Sequence, residues 1–114
     1  MKRIFLSGAI SYYIDHGQWE SRKAEFKRVK QLLEQKGWQV VSPLDLNLRV
    51  DLPHDRCIEE TMKQLAYCHA IYLMDGWEKS SGCRDELNMA LAAGKEIYFE
   101  NTKKYDIWKH SLKP

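Results

Sequence analysis

The sequence lacks several features that define membrane, secreted or metal-binding proteins. It contains no run of about 18 apolar residues, so we predict no membrane-spanning helix. The apolar stretch Ile4–Leu6 is too short for the core of a signal peptide and predicts a buried strand. Cysteine is scarce and odd in number, at three residues without a Cys-x-x-Cys pair, which disfavours a disulfide framework or a zinc site. We therefore expect reduced thiols and a cytoplasmic location.

The chain also lacks an excess of one charge and the common phosphate-binding fingerprints. Its 18 basic and 16 acidic residues give a net charge of +2, so we expect neither a nucleic acid nor a membrane as partner. Basic residues crowd Arg22–Lys30, but glutamates interleave with them, and we interpret this segment as a solvated helix face. Neither GxGxxG nor GxxxxGK[ST] occurs, and we expect no cofactor and no metal.

What the sequence does contain is an alternation of apolar strands and helical stripes. Its 114 residues, 44% of them hydrophobic, predict one domain spanning 1–114 with an irregular tail from about residue 101. Strand–helix alternation is typical of a parallel sheet with right-handed crossovers. We predict a small three-layer α/β fold, Rossmann- or flavodoxin-like, with about four parallel strands in the order 2-1-3-4. The predicted strands are Arg3–Leu6, Trp38–Ser42, Ala70–Met74 and Glu96–Phe99, and the predicted helices are Glu20–Lys36, Asp55–Tyr67 and a helix around Leu87–Leu91. Residues 43–54 are predicted to form a loop.

In such sheets, ligands bind beyond the carboxyl ends of the strands, where the winding direction reverses. If strand two lies on one side of strand one and strand three on the other, two polar loops, Ser7–Asp15 and Asp75–Gly82, border that crevice. A glycine in the first loop permits a tight turn and close approach of a ligand. The candidate substrate-binding residues of the first loop are Ser7, Gly8, Ala9, Ile10 and Tyr12.

The second loop carries an anion-binding pattern and an aromatic residue. Ser80-Ser81-Gly82 opens a helix, and the free backbone N–H groups there favour phosphate or carboxylate. A plain N-cap by Ser80 or Ser81 explains the serines equally well. Trp77 in this loop and Tyr12 in the first loop are candidates for stacking on a base. Ordinary packing of an aromatic side chain explains each of them as well, and the sequence does not decide between the two roles.

Glu86 is the candidate catalytic residue. It lies too deep in the helix for a capping box, since three residues after Ser80 or Ser81 come Cys83 or Arg84. A carboxylate one turn into a helix at a sheet crevice is a candidate nucleophile or base, whereas the bland alternative is a solvent-facing glutamate. We expect it to be half-exposed, with the helix end and Arg84 favouring its ionised form. Cys83 is a weaker alternative nucleophile.

These motifs together resemble the nucleoside 2-deoxyribosyltransferase superfamily. The similarity lies in Ser-Gly-Ala-Ile after strand one, in Gly37–Pro43, in Gly-Trp-Glu-x-Ser-x-Gly at Gly76–Gly82, and in the Ser80-x-Gly82-x-x-x-Glu86 spacing. The similarity extends to about Phe99. The branch that the chain resembles most consists of small single-domain proteins related to 2'-deoxynucleoside 5'-phosphate N-hydrolases.

The resemblance implies an N-glycosidic bond hydrolase or transferase acting on a (2'-deoxy)nucleoside or its 5'-monophosphate. It implies that Glu86 attacks C1' of the sugar, that Ser80 and Gly82 hold the 5'-phosphate, and that Gly8-Ala9-Ile10 line the sugar. Where relatives place an acidic aspartate this chain has Thr61, so Glu60 and Asp75 are the remaining candidates for that role.

The resemblance also implies a homo-oligomer, most simply a dimer, with helix Asp55–Tyr67 and the tail after Phe99 as contributors. An alternative reading of the same residues is a non-catalytic nucleotide-binding or sensing module of the same fold, which Thr61 favours and Glu86 disfavours.

Overall fold

Four short strands form one all-parallel sheet in the computed structural model of the chain, which describes residues 2–46 and 54–101. The strand order is β2-β1-β3-β4, as the sequence predicts. In chain order the elements are β1 (Arg3–Ser7), α1 (Ser11–Asp15), α2 (Trp19–Gln35), β2 (Gln39–Val41), a 3₁₀ turn (Pro43–Leu46), α3 (His54–Ala66), β3 (Ala70–Leu73), a 3₁₀ turn (Trp77–Lys79), α4 (Ser81–Ala92) and β4 (Glu96–Phe99).

The central strands β1 and β3 are buried on both faces. Their register pairs Ile4 with Ala70 and Ser7 with Leu73. Because successive side chains of a strand point to opposite faces, each strand supplies two separate cores. This explains why these strands read as continuous apolar runs rather than as alternating ones.

Helices cover the two faces unequally. On one face α2 packs Phe26, Val29 and Leu33 against Ile4 and Leu6 of β1. On the other face α3 and α4 pack together over the remaining strand residues, in a cluster that contains Phe5, Leu65, Ile71, Leu73, Cys83, Leu87 and Ala90. The winding direction therefore reverses between β1 and β3, and the predicted crevice lies beyond the ends of these two strands.

The four predicted strands and the helices predicted over Glu20–Lys36 and Asp55–Tyr67 are confirmed to within one residue, and the helix predicted around Leu87–Leu91 is confirmed as α4, which begins at Ser81. The structure adds α1 and the two 3₁₀ turns inside segments predicted as loops. Elements of three to five residues are too short to show an apolar period, which is why the sequence does not reveal them. Residues 47–53 of the predicted loop and the tail beyond residue 101 lie outside the described residues. None of the helices in the described ranges has the length and apolar character needed to span a membrane.

Candidate active site

Glu86 meets Ser7 and Thr61 where α4, β1 and α3 converge. The Ser7 hydroxyl donates a hydrogen bond of 2.7 Å to Oε1 of Glu86, joining residues 79 positions apart in the chain. A side-chain hydrogen bond also joins Thr61 to Glu86. All three side chains are buried, and Glu86 is only 6% exposed. The predicted catalytic glutamate is thus held by two hydroxyl groups at the carboxyl end of the central strand.

Local sequence explains how these residues come together. Ser7 is the last residue of β1 and points to the same face as Phe5, toward α3 and α4. Helix α4 begins after Ser80, whose hydroxyl oxygen accepts a hydrogen bond of 3.2 Å from the backbone N–H of Cys83. Ser80 is therefore the N-cap that the sequence offers as one explanation of this serine. Glu86 follows on the buried face of α4, one turn after the small residues Gly82 and Cys83.

Burial raises the pKa of Glu86 to about 7, against an ordinary value of 4.5. The hydrogen bonds from Ser7 and Thr61 stabilise the carboxylate and act in the opposite direction, while the charge of Asp85 adds to the rise. The expectation of a half-exposed glutamate ionised by its surroundings is wrong. Arg84 is exposed and donates to the carbonyl of Glu78 at 3.1 Å, so it does not offset the desolvation of Glu86.

Cys83 lies in the same buried cluster, in surroundings that disfavour its thiolate. Burial, together with the nearby Glu86 carboxylate, raises the pKa of its thiol to about 11. Hydrogen bonds with Ser7 and Ser80 act in the opposite direction. A thiol with this pKa is protonated near neutral pH, and the protonated form is a poor nucleophile.

The predicted first-loop residues lie at the end of β1, and most of them are buried. Gly8 is closely surrounded, since a Cβ atom there would lie 2.9 Å from the Phe26 ring and 3.0 Å from the sulfur of Met74. Ala9 is fully buried and Ile10 half-buried. The Tyr12 hydroxyl accepts a hydrogen bond of 3.1 Å from Lys79, which brings the two loops together.

Trp77 and the two acidic candidates are placed differently. Trp77 is 1% exposed and packs against the Phe99 ring with centroids 5.6 Å apart, so the structure places it in the core. Asp75 is exposed at the end of β3, and its Oδ1 accepts from the backbone N–H of Gly76 at 3.1 Å. Glu60 is half-buried on α3, next to Thr61. Adjacent helix residues diverge by about 100°, so Glu60 points away from the direction in which Thr61 reaches Glu86.

Arg22 is the residue that sequence reasoning misses. It belongs to the segment interpreted as a solvated basic face, but its side chain is 0% exposed, and that interpretation is wrong for this residue. The signal is present in the helical spacing, because Arg22, Phe26, Val29 and Leu33 all fall on one stripe of α2. A cation on an apolar stripe indicates a buried polar role.

The sheet order and the helix arrangement define an α/β fold of the nucleoside 2-deoxyribosyltransferase type. A solved structure titled "2-desoxiribosyltransferase from Leishmania mexicana" matches with a TM-score of 0.62 at 21% sequence identity. The match covers 87% of this chain and 63% of that chain, so this chain spans less than two thirds of the matched structure's length. No curated protein sequence matches the chain. The chain belongs to the family described as "Domain of unknown function (DUF4406)", whose model matches residues 2–99.

The raised pKa of Glu86 makes folding stability depend on pH. Because the native state binds this proton more tightly than the unfolded chain, Glu86 destabilises the fold progressively as pH rises from 4.5 through about 7. Glu86→Gln removes that dependence and keeps a side chain of the same shape. We expect the variant to gain up to about 3 kcal/mol of unfolding free energy over the parent at about pH 8, and little at about pH 4.5.

Urea unfolding of both proteins at the two pH values measures this difference. Glu34→Gln is the matched control, since it makes the same substitution at an exposed glutamate on α2, away from Glu86. Parallel stability curves for Glu86→Gln and the parent would contradict a raised pKa at Glu86.

Proposed function

We propose that the protein cleaves the N-glycosidic bond of a (2'-deoxy)nucleoside or its 5'-monophosphate, with Glu86 as nucleophile. The observation that carries the proposal is the buried Glu86 carboxyl, hydrogen-bonded by Ser7 at 2.7 Å, at the carboxyl end of the central strand. A carboxyl with a pKa of about 7 is ionised in about half of the molecules at neutral pH, and its carboxylate is poorly solvated and therefore reactive. The likeness of the fold to a 2-deoxyribosyltransferase supports the choice of substrate class.

The proposed reaction has two steps. A carboxylate oxygen of Glu86 attacks C1' as the C1'–N bond breaks, the electron pair leaves with the base, and an acid or water protonates the base. In the second step a water oxygen attacks C1', the glycosyl ester bond breaks, and Glu86 leaves as carboxylate while the water proton goes to solvent or to a base. A second nucleobase in place of water gives transfer instead of hydrolysis. Both outcomes retain the configuration at C1'.

The Ser7 and Thr61 hydroxyls suit both forms of the glutamate that this mechanism needs. Each hydroxyl donates to the carboxylate before attack and can still donate to the carbonyl oxygen of the glycosyl ester. They lower the pKa of Glu86 against the effect of burial, and so raise the fraction of nucleophile present at neutral pH. We propose that they also fix the rotamer of Glu86 for attack.

Substrate contacts are proposed for the two loops at the crevice. The start of α4 presents backbone N–H groups around Gly82, and the positive end of this helix of 12 residues favours a 5'-phosphate beside Ser80. Ser80 already accepts from Cys83, so its hydroxyl proton remains available as a donor to the phosphate. The segment Gly8–Ile10 and Tyr12 are proposed to line the sugar.

Asp75 is the stronger proposal for the acid that assists the leaving base. It is exposed two residues beyond Leu73, the β3 residue that pairs with Ser7 of β1. Glu60 is disfavoured because Thr61, one position later, takes the direction that faces Glu86.

A nucleotide-binding module without catalysis is the second candidate function. It is favoured by Thr61, a buried hydroxyl in hydrogen-bond contact with Glu86 at the position where a carboxylic acid would assist the leaving base. Such a module would hold an intact nucleotide in the same crevice.

Chromatography of the protein incubated with a panel of nucleosides, 2'-deoxynucleosides and their 5'-monophosphates separates the two functions. We expect release of free base, with kcat/KM rising between about pH 6 and pH 8 as Glu86 ionises. Heat-denatured protein is the control for spontaneous loss of base. A bound nucleotide recovered unaltered after denaturation, with no free base, would contradict the enzyme and support the module.

A further inference from the structure

Arg22 joins the two loops that border the crevice. Its Nε donates to the carbonyl oxygen of Ala9 at 3.0 Å, and its Nη1 donates to the carbonyl oxygen of Asp75 at 3.1 Å. Ala9 follows β1 and Asp75 follows β3, so one guanidinium group bridges the ends of both central strands. The Arg22 side chain is 0% exposed. Any movement that separates the two loops breaks at least one of its two hydrogen bonds.

The guanidinium group is itself held firmly in place. It lies over the Tyr13 ring at 4.1 Å from the centroid, in a cation–π contact with α1. Nη1 also pairs with Glu25 at 3.4 Å. Within the described part of the chain Nη2 has no hydrogen-bond partner, and a Cβ atom at Gly8 would lie 3.1 Å from it. Gly8 is therefore required for close packing of the first loop on Arg22.

Further contacts join the same two loops outside Arg22. The Tyr13 hydroxyl packs against Gly76, whose φ of +86° and lack of a Cβ atom make room for it. Asp75 is also held from its amide side, since its N–H donates to Glu100 at 2.9 Å and Glu100 pairs with Arg28 at 2.9 Å. Arg22 thus binds the carbonyl group of Asp75 directly, and Arg28, also on α2, supports the N–H side of the same residue through Glu100.

A buried arginine at a core position is unusual, because its charged group must be removed from water. Desolvation of a guanidinium group disfavours folding, and an apolar side chain of similar volume often serves stability as well. What the apolar side chain lacks is a rigid fork of donors directed at two acceptors. The position of Arg22 is therefore better explained by the geometry that it imposes on Ala9 and Asp75 than by stability.

We infer that Arg22 is a positioning residue that fixes the spacing between the loop after β1 and the loop after β3. Ser7, which donates to Glu86, lies two residues before Ala9, and Asp75 is bound by Arg22 directly. The two hydrogen bonds of Arg22 therefore set the distance between Ser7 and the proposed acid Asp75. Its effect on the rate rests on the proposed function, whereas its effect on the loops does not. The spacing matters for rate because a misplacement of about 1 Å can slow a reaction about a hundredfold.

The test uses two variants of Arg22 and one control. Arg22→Lys keeps the charge but cannot reach two carbonyls with a planar fork, and Arg22→Gln removes the charge as well. Lys27→Gln is the control, since it removes an exposed cation from the same helix. Hydrogen exchange followed by mass spectrometry measures the loop peptides 8–16 and 75–80 in each protein, with strand peptides as internal reference.

We expect amide exchange in both loop peptides to rise at least about tenfold in both Arg22 variants, with the β1 and β3 peptides still protected. In the base-release assay we expect kcat to fall at least about tenfold with KM changed less than about threefold, and Lys27→Gln to match the parent in both measurements.

Three results would overturn the inference. The first is unchanged loop exchange in folded Arg22 variants, and the second is loosened loops with parental kcat. The third is loss of cooperative unfolding in both variants, which would make Arg22 a general stabiliser of the fold. A parent protein that releases no base from any substrate refutes the proposed function instead, and loop exchange then decides the role of Arg22 by itself.

Discussion

Glu86→Gln is expected to lower kcat for base release at least about a thousandfold, as loss of a covalent nucleophile commonly does. An amide oxygen is a far weaker nucleophile than a carboxylate, and it carries no negative charge to stabilise the oxocarbenium-like transition state. Glutamine retains an acceptor for the Ser7 and Thr61 hydroxyls, so the site keeps its shape. The measurement is base release at saturating substrate, with thermal unfolding recorded in parallel.

Glu34→Gln serves as the control for this loss of activity. It removes a negative charge from an exposed position on α2, and we expect its kcat to lie within about threefold of the parent. A folded Glu86→Gln protein that retains activity within about tenfold would exclude Glu86 as the nucleophile. Substitutions at Asp75 and Glu60 would then be the next tests.

Trp77→Ala is expected to lower the free energy of unfolding by about 3 to 5 kcal/mol, the usual effect of deleting a buried indole. Trp77 is 1% exposed and packs in the cluster formed with α3 and α4, so its removal leaves a cavity that the neighbours cannot close. This is a large fraction of the stability of a small domain, which is about 5 to 15 kcal/mol. Urea unfolding measures the change.

Two further variants separate packing from ligand stacking at this position. Trp77→Phe retains most of the buried volume and should recover much of the loss, whereas Trp19→Ala, at a half-buried tryptophan on α2, should have a small effect. A drop of less than about 1 kcal/mol in Trp77→Ala, together with loss of nucleotide binding, would place Trp77 in the site instead of the core.

The parallel sheet and the position of Glu86 in its helix can be predicted from local sequence patterns. Apolar runs such as Ala70–Leu73 are buried on both faces of the sheet, and their alternation with helices indicates a parallel sheet covered on both faces. The depth of Glu86 in its helix excludes a capping role, because a capping carboxylate must lie within the first turn. Both inferences use residues close together in the chain.

The charge state of Glu86 and the role of Arg22 depend on distant residues and could not be predicted in the same way. The pKa of Glu86 depends on how fully α3 and β1 cover it, and Thr61 and Ser7 belong to those elements. Arg22 finds its acceptors at Ala9 and Asp75, on either side of the helix that carries it in sequence. An amphipathic pattern shows which face of α2 is buried but not which carbonyls lie there. Trp77 is ambiguous for the same reason, since its partner Phe99 belongs to a different strand.

The pairing of β1 with β3 has a consequence for how the chain acquires its structure during synthesis. Arg3 and His69, which exchange hydrogen bonds at the start of these strands, are 66 residues apart, and Ser7 and Glu86 are 79 apart. While the ribosome makes the first half of the chain, β1 has only the three-residue strand β2 beside it, and one of its faces has no helix to cover it. Long-range parallel pairing is slow because loop closure precedes any gain from contact. The nascent amino-terminal strand therefore gains its second neighbour β3 and the full cover of α3 and α4 only as residues 54–92 are made, and its exposed apolar surface is open to aggregation or to a chaperone until then.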